Sequence, residues 1–174
     1  MATERDINPV THLTTGAIGP PGKRVFYLQA RSESELITLI LEKQQVQSLA
    51  VGLEEFLAEL EKRVPGLSEA SADYESEQMA LEEPIDPLFR IGQIGLGYDD
   101  ASDRLVLVVR ELLAEEEDPS QAQVVRLWCT RSQLRAMCYW GLEVAGQGRP
   151  ICGNCGEPMD PEGHFCPKRN GHKH

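Results

Sequence analysis

Hydrophobic and polar residues follow two kinds of pattern along the chain, and each kind occurs in both halves. Runs rich in β-branched and aromatic residues predict strands at 10–19, 23–30 and 35–42, and again at 88–98, 104–113 and 123–129. After each set of three strands the apolar residues recur at helical spacing, which predicts helices at 44–63 and 131–145. Strands and helices in this order indicate an α+β fold.

Turn and capping residues support these boundaries. Gly19-Pro20-Pro21-Gly22 is typical of a turn between two strands, and Pro65-Gly66 ends the first helix. Thr130 and Gln133 have the spacing of a capping box, in which both side chains bind free backbone donors at the start of a helix. The glycines of 92–97 have the wrong spacing for a dinucleotide site and predict a bulged or crowded strand.

The two halves also align with each other. An offset of 88 residues places Leu39 on Leu127 and Gln45 on Gln133. This indicates a degenerate internal duplication, although any junction between a strand and a helix shares part of such a pattern. Two halves of this kind would form a mainly antiparallel sheet with two helices.

The expected organisation is one α+β domain over 1–148 followed by a small unit. Within that domain, halves at about 8–64 and 88–147 are joined by an acidic linker at 65–87. The unit at 149–174 has too few apolar residues to offset the entropy of ordering it, which predicts that a metal ion stabilises it.

Cysteine and histidine spacing in 149–174 identifies the candidate ligands of that metal. Cys152 and Cys155 are separated by two residues, so that both sulfurs can reach one ion. His164 and Cys166 lie on the same side of an extended segment and complete a set of three cysteines and one histidine. Thiolate and imidazole donors predict one structural Zn²⁺.

Three alternatives to this zinc site follow from the same residues. Cys166 with His172 is a competing second pair of ligands. A redox dithiol would need a strand before the motif and a helix after it, which the flanking Gly and Pro residues argue against. A catalytic zinc would need an open water position and a nearby base such as Glu157, and a closed ligand set favours a structural role.

Composition and charge restrict the function further. The chain has 174 residues, a net charge of −11 and a pI of about 4.8. Positions 54–118 carry nineteen acidic residues against five basic ones, which argues against nucleic-acid binding, even though Lys168 and Arg169 lie near the zinc ligands. The sequence shows no membrane-spanning run and no secretory leader, so we expect a cytoplasmic protein with no membrane partner.

Arginines on predicted strands suggest a second kind of site. Arg104 and Arg110 share one face of a strand, and Arg24, Arg90 and Arg126 would join them if the sheet brings them together. Guanidinium groups bind phosphate or carboxylate in a bidentate manner. The alternative is that these arginines lie at sheet edges and pair with the many acidic residues.

Several segments together resemble a bacterial family of unknown function with a cysteine-rich C-terminus. They are KRVFYLQA (23–30), LEKQQV (41–46), FRIG (89–92), LGYD (96–99) and CGNCGEPMDPEGHFCP (152–167). The resemblance implies a cytosolic bacterial protein without an established activity, and it favours His164 over His172 as the fourth zinc ligand.

Two functions remain as expectations. A closed zinc site without a nucleophile and base favours a non-enzymatic binding or adaptor module whose partner is another protein. The alternative is an enzyme or a protein that binds a nucleotide or phosphate ligand in an arginine-lined cleft between the two halves.

Overall fold

The computed structural model describes residues 3–20 and 22–147, and within them the chain forms seven strands and two α-helices. The strands are β1 (Glu4–Ile7), β2 (His12–Ile18), β3 (Val25–Arg31), β4 (Leu36–Leu41), β5 (Pro87–Asp99), β6 (Arg104–Glu111) and β7 (Val124–Cys129). The helices are α1 (Lys43–Arg63) and α2 (Arg131–Gly146), and short 3₁₀ turns occur at Ser76–Met79 and Pro119–Gln121. All six predicted strands and both predicted helices are therefore confirmed within a few residues of their expected ends.

The strands form one mixed sheet in the order β1-β7-β6-β5-β4-β3-β2. The pairs β4–β5 and β7–β1 are parallel, whereas the other neighbours in the described sheet are antiparallel. The two ends of the sheet meet through the segment between β1 and β2, where Val10 N donates to Trp128 O of β7 (2.8 Å) and Thr11 N donates to Arg31 O of β3 (2.7 Å). The sheet therefore curves around and encloses a core.

Both helices cover the apolar side of this sheet and contact each other. Leu53 of α1 and Leu134 of α2 are fully buried with Leu39, Leu107 and Leu127 of the sheet. Gly141 marks the closest approach, because a Cβ atom added there would lie 2.7 Å from Val46 Cγ1 and 3.0 Å from Thr15 Cγ2. Burial of these side chains is the main source of stability, at about 25 cal/mol for each Å² of apolar surface removed from water.

The expected capping box is present at the start of α2 and has a counterpart at the start of α1. The Gln133 backbone N–H donates to Thr130 Oγ1 (3.0 Å), and Thr130 N donates to Gln133 Oε1 (2.8 Å). At α1, Glu42 N donates to Gln45 Oε1 (2.7 Å). The helices begin 88 residues apart, and three strands precede each of them, in the orders β2-β3-β4-α1 and β5-β6-β7-α2.

The glycine-rich strand β5 is bulged, as predicted. The pairing register with β6 shifts between Ile91 and Gln93, and a Cβ at Gly92 would lie 2.9 Å from the backbone Cα of Leu112. No side chain fits there without displacing the backbone, which explains the glycine.

Strand β1 was not predicted from the sequence. Its residues Glu4-Arg5-Asp6-Ile7 contain only one apolar side chain, which is too weak a signal for a strand. The segment is held by the backbone ladder to β7 and by polar contacts, since Trp128 Nε1 donates to Asp6 Oδ1 (3.0 Å) and Arg126 pairs with Glu4 (2.5 Å).

The stretch predicted as a linker, 65–87, lies against the domain and makes specific contacts with it. Arg131, whose side chain is only 7% exposed, donates to Ser68 O (2.6 Å), and Arg135 donates to Ala70 O (2.6 Å). Farther along, the buried Thr14 donates through Oγ1 to Met79 O (2.7 Å), and Gln29 exchanges two hydrogen bonds with the Glu82 backbone. Neither helix in the described residues is long and apolar enough to cross a membrane.

Candidate functional site

The five arginines singled out from the sequence separate into two groups. Arg24 and Arg90 line one cavity, whereas Arg104, Arg110 and Arg126 do not. Arg104 and Arg110 do share the outward face of β6, where they alternate with the buried Leu105, Leu107 and Val109, but Arg110 donates to Pro119 O (2.8 Å). Arg126 pairs with Glu4 and Asp6 of β1. The cleft expected from the sequence would have held all five arginines. In the structure, two of the five, Arg24 and Arg90, line the same cavity.

The cavity that contains Arg24 and Arg90 has a volume of about 260 Å³ and also receives Lys43. Its cationic side chains come from three parts of the chain. Arg24 directly precedes β3, Lys43 is the first residue of α1, and Arg90 lies in β5. The remaining lining consists of the Glu42 carboxylate together with Gly22, Val25, Phe26 and Leu41. Three cations thus converge on one cavity of a chain whose net charge is −11.

Strand geometry directs Arg90 into this cavity. Its neighbours Phe89 and Ile91 point into the core, at 6% and 1% exposure, so Arg90 points away from it. Parallel pairing places Arg90 opposite Ile40, two residues before Glu42. Arg90 Nη1 lies 2.6 Å from Glu42 Oε1, and both side chains are about half exposed, at 45% and 59%.

Lys43 occupies the first position of α1, next to the N-cap residue Glu42. Free backbone N–H groups give a helix N-terminus partial positive charge, so that position favours anions and disfavours a cation. The first turn of α1 contains no acidic residue. Gln45 ties the same end of the helix to β5, because its Nε2 donates to Ile91 O (3.0 Å).

The Arg24 side chain is held at the C-terminus of α2. Its Nη2 donates to Val144 O (2.8 Å) and Gln147 O (2.6 Å) at the C-terminus of α2. These carbonyls carry the partial negative charge of the helix end, which is a favourable partner for a guanidinium. The Arg24 Cζ atom also lies 5.3 Å from the centre of the Phe26 ring, within the range of a cation–π contact. Arg24 is therefore oriented before any ligand binds.

Lys43 was not identified as a site residue from the sequence. The available signal was a lysine at the predicted start of a helix, where an acidic residue is the stabilising choice. Its proximity to Arg24 and Arg90 depends on pairing between β4 and β5, whose residues are about 50 positions apart, and no local pattern predicts that pairing.

The two described cysteines are buried and unsuited to catalysis or metal binding. Cys129 and Cys138 are 0% and 3% exposed, and burial raises the pKa of each thiol to about 12. They remain neutral at physiological pH and act as small apolar side chains.

His12 lies partly buried in β2 opposite Arg31. Its Nε2 atom is buried and has no hydrogen-bond partner within residues 3–20 and 22–147. Arg31 in turn forms a 2.7 Å ion pair with Glu82, and this hydrogen bond lowers the pKa of the Glu82 carboxyl. The structure thus shows a structural anchor for 65–87 at this point, with a histidine beside it.

The predicted zinc ligands Cys152, Cys155, His164 and Cys166, and the alternative ligand His172, lie outside the described residues. Within residues 3–20 and 22–147, no group of three or more His, Cys, Asp or Glu side chains is placed to hold a metal ion.

A comparison with known protein families finds a match over most of the chain. Residues 6–166 match the family described as protein of unknown function, DUF3090. The chain belongs to the DUF3090 family. The match begins within β1 and includes strands β2 to β7, both helices and the segment that carries the four predicted zinc ligands. No curated protein and no solved structure matches the chain. The family assignment therefore agrees with the resemblance to an uncharacterised family and adds no activity to it.

Proposed function

We propose that this protein binds a small phosphate- or carboxylate-bearing ligand in the cavity formed by Arg24, Lys43 and Arg90. The observation that supports this function is the convergence of three cationic side chains on one cavity of a strongly acidic chain. Arg24 and Lys43 come from the half at 8–64, and Arg90 comes from the half at 88–147. The proposed site keeps two arginines of the cleft expected from the sequence and adds Lys43.

We expect a ligand anion to replace the Glu42 carboxylate in its ion pair with Arg90. An ion pair between two half-exposed side chains contributes only about 0–1 kcal/mol, because water screens it. A ligand anion that meets two arginines and a lysine forms several charge-assisted hydrogen bonds, which are about twice as strong as neutral ones. The backbone N–H groups at the start of α1 add a favourable field for the same anion. The Glu42 carboxylate would then pair with Arg90 when no ligand anion is bound.

The proposal is tested by titrating the full chain with inorganic phosphate at low ionic strength in a calorimeter. Arg90→Gln and Lys43→Gln each remove one positive charge without adding bulk, and we expect at least a tenfold loss of affinity, which corresponds to about 1.4 kcal/mol. Arg104→Gln is the matched control, because Arg104 is an arginine on a neighbouring strand outside the cavity. Equal losses in Arg90→Gln and Arg104→Gln would show that phosphate senses only net charge, and the proposal would be wrong.

A second proposed function rests on the ligand spacing in the sequence rather than on the cavity. We propose that Cys152, Cys155, His164 and Cys166 hold one structural Zn²⁺, and that the unit at 149–174 serves a non-enzymatic adaptor role with another protein as partner. Three thiolates and one imidazole form a closed tetrahedral set that leaves no position for a substrate.

Metal analysis of the purified chain tests the zinc site. We expect about one zinc per chain, loss of that zinc in Cys155→Ser, and its retention in Asn154→Ser, which alters the same knuckle without removing a ligand. His172→Ala should also keep the metal. A metal-free wild-type chain would refute this proposal and leave the anion site unaffected.

The duplication of the two halves also remains a proposal. It is supported by the offset of 88 between the starts of α1 and α2 and by the glutamine at the third position of each helix. The ligand cavity would then have formed at the junction of two copies of one ancestral unit.

A further inference from the structure

A second cavity, of about 350 Å³, shares Arg24 with the anion site. It lies between the end of β2, the stretch before β5 and the C-terminal part of α2. We call it the β2–α2 groove and define it by Ile18, Leu81, Ile85, Trp140 and Val144 with Arg24 at its border. Arg24 therefore lines both the cationic cavity and a groove in which most of the lining side chains are apolar.

The walls of the β2–α2 groove are fixed by contacts outside it. Trp140 Nε1 donates to Thr15 O (2.8 Å), and the Trp140 ring packs edge-on against Tyr74 with their centres 5.4 Å apart. Leu81 lies so close to β2 that a Cβ added at Gly16 would be 2.7 Å from Leu81 Cγ. Ile18, by contrast, is 46% exposed, although isoleucine is among the most frequently buried residues. The groove is thus preformed, with apolar surface that a ligand can cover.

We propose that the ligand of this protein is an anion that carries a hydrocarbon chain. Its phosphate or carboxylate group binds Arg24, Lys43 and Arg90, and its chain lies in the β2–α2 groove against Ile18, Leu81 and Trp140. This inference rests on the proposed function, because it names the class of ligand for the same site. Ligand sites commonly combine apolar side chains with polar groups that fix orientation, and the two cavities offer both kinds of residue.

One carboxylate in the groove restricts the ligand further. Glu83 also lines the β2–α2 groove, and it repels a second anionic group placed there. A ligand that is neutral beyond its charged end is therefore favoured over dicarboxylates and over nucleotides with long polyanionic tails. A single anionic group at one end of an alkyl or aryl chain meets this condition.

The test compares octyl phosphate, as a monomer below its micelle concentration, with inorganic phosphate and with octanol. A buried methylene group strengthens binding about fourfold, so an octyl chain that is only partly covered should still increase affinity at least tenfold over phosphate. In a Trp128→Phe variant the emission reports Trp140 alone, because the chain has two tryptophans. We expect octyl phosphate to shift Trp140 emission and inorganic phosphate to leave it nearly unchanged.

Ile18→Ser and Leu142→Ser form a matched pair, since both remove an exposed apolar side chain and only Ile18 lines the groove. The two side chains are 46% and 40% exposed. Ile18→Ser should lower the ratio of octyl phosphate to phosphate affinity at least threefold, and Leu142→Ser should leave it unchanged.

The outcomes distinguish this inference from the proposed function. If octyl phosphate binds no tighter than phosphate, or if octanol binds as well as octyl phosphate, the hydrocarbon chain has no specific site and the inference is overturned. Binding to anionic vesicles without binding of the monomer overturns it as well. If Arg90→Gln leaves phosphate and octyl phosphate affinities unchanged, the anion site itself is refuted.

Discussion

Gly141 in α2 offers the sharpest test of how the two helices and the sheet fit together. Replacing it by alanine places a methyl group 2.7 Å from Val46 Cγ1 and 3.0 Å from Thr15 Cγ2. Carbon atoms in favourable contact lie about 3.5–4.0 Å apart, so the helix must move by about 1 Å to accommodate the methyl group.

The two opposing contributions can be compared directly. Alanine is more favourable than glycine in a helix by about 1 kcal/mol, whereas overpacking a core typically costs about 1–3 kcal/mol. Because both close contacts involve buried parts of neighbouring elements, we expect the steric cost to exceed the gain. Gly141→Ala should lower the free energy of unfolding by about 1 kcal/mol, which lowers Tm by about 2–4 °C in a domain of this size.

Gly52→Ala is the control, since Gly52 lies in α1 with no heavy atom within 4 Å of an added Cβ. That substitution should raise the free energy of unfolding by about 0.5–1 kcal/mol. Urea denaturation followed by circular dichroism measures both variants. In a Val46→Ala background, which removes the clashing Cγ1, the Gly141 substitution should become less destabilising by at least about 0.5 kcal/mol. If Gly141→Ala stabilises the protein as much as Gly52→Ala does, the close packing of α2 against α1 and β2 is wrong.

Two further predictions concern titratable groups. Hydrogen bonds from Arg131 lower the pKa of Asp103, so the contact stabilises the fold above the normal carboxyl pKa and this stabilisation is lost as pH falls through the lowered value. Asn also tolerates the φ of 50° at position 103. The Asp103→Asn variant should therefore be less stable than wild type at pH 7, and this difference in stability should disappear toward pH 2. A difference in stability that does not change with pH would contradict the role of Asp103. Burial raises the pKa of Cys129 and Cys138 to about 12, so a thiol reagent at pH 8 should modify them only after denaturant is added, and rapid reaction of either one in the native protein would show that the core is more open than described.

The sequence-based predictions were most successful where the signal was local. The helices at 44–63 and 131–145 were predicted because apolar residues recur every three or four positions, and the Thr130–Gln133 capping box because its atoms are three residues apart. Strand β1 was missed because its partner β7 is about 120 residues away and its own side chains are mostly polar. Arg126 and Arg110 were candidate ligand-binding residues on the sequence alone, but the fold places both outside the cavity that Arg24 and Arg90 line.

The amino-acid sequence by itself determined the kinds of elements, their order and the acidic character of this protein, since each depends on residues close together in the chain. Only the tertiary structure decided that Arg24, Lys43 and Arg90 meet. That meeting needs β4 to pair in parallel with β5 and the C-terminus of α2 to reach Arg24 across 120 positions of sequence. Such pairings are selected by the burial of the whole core, and the energy that selects them is distributed over many side chains rather than written at any one position.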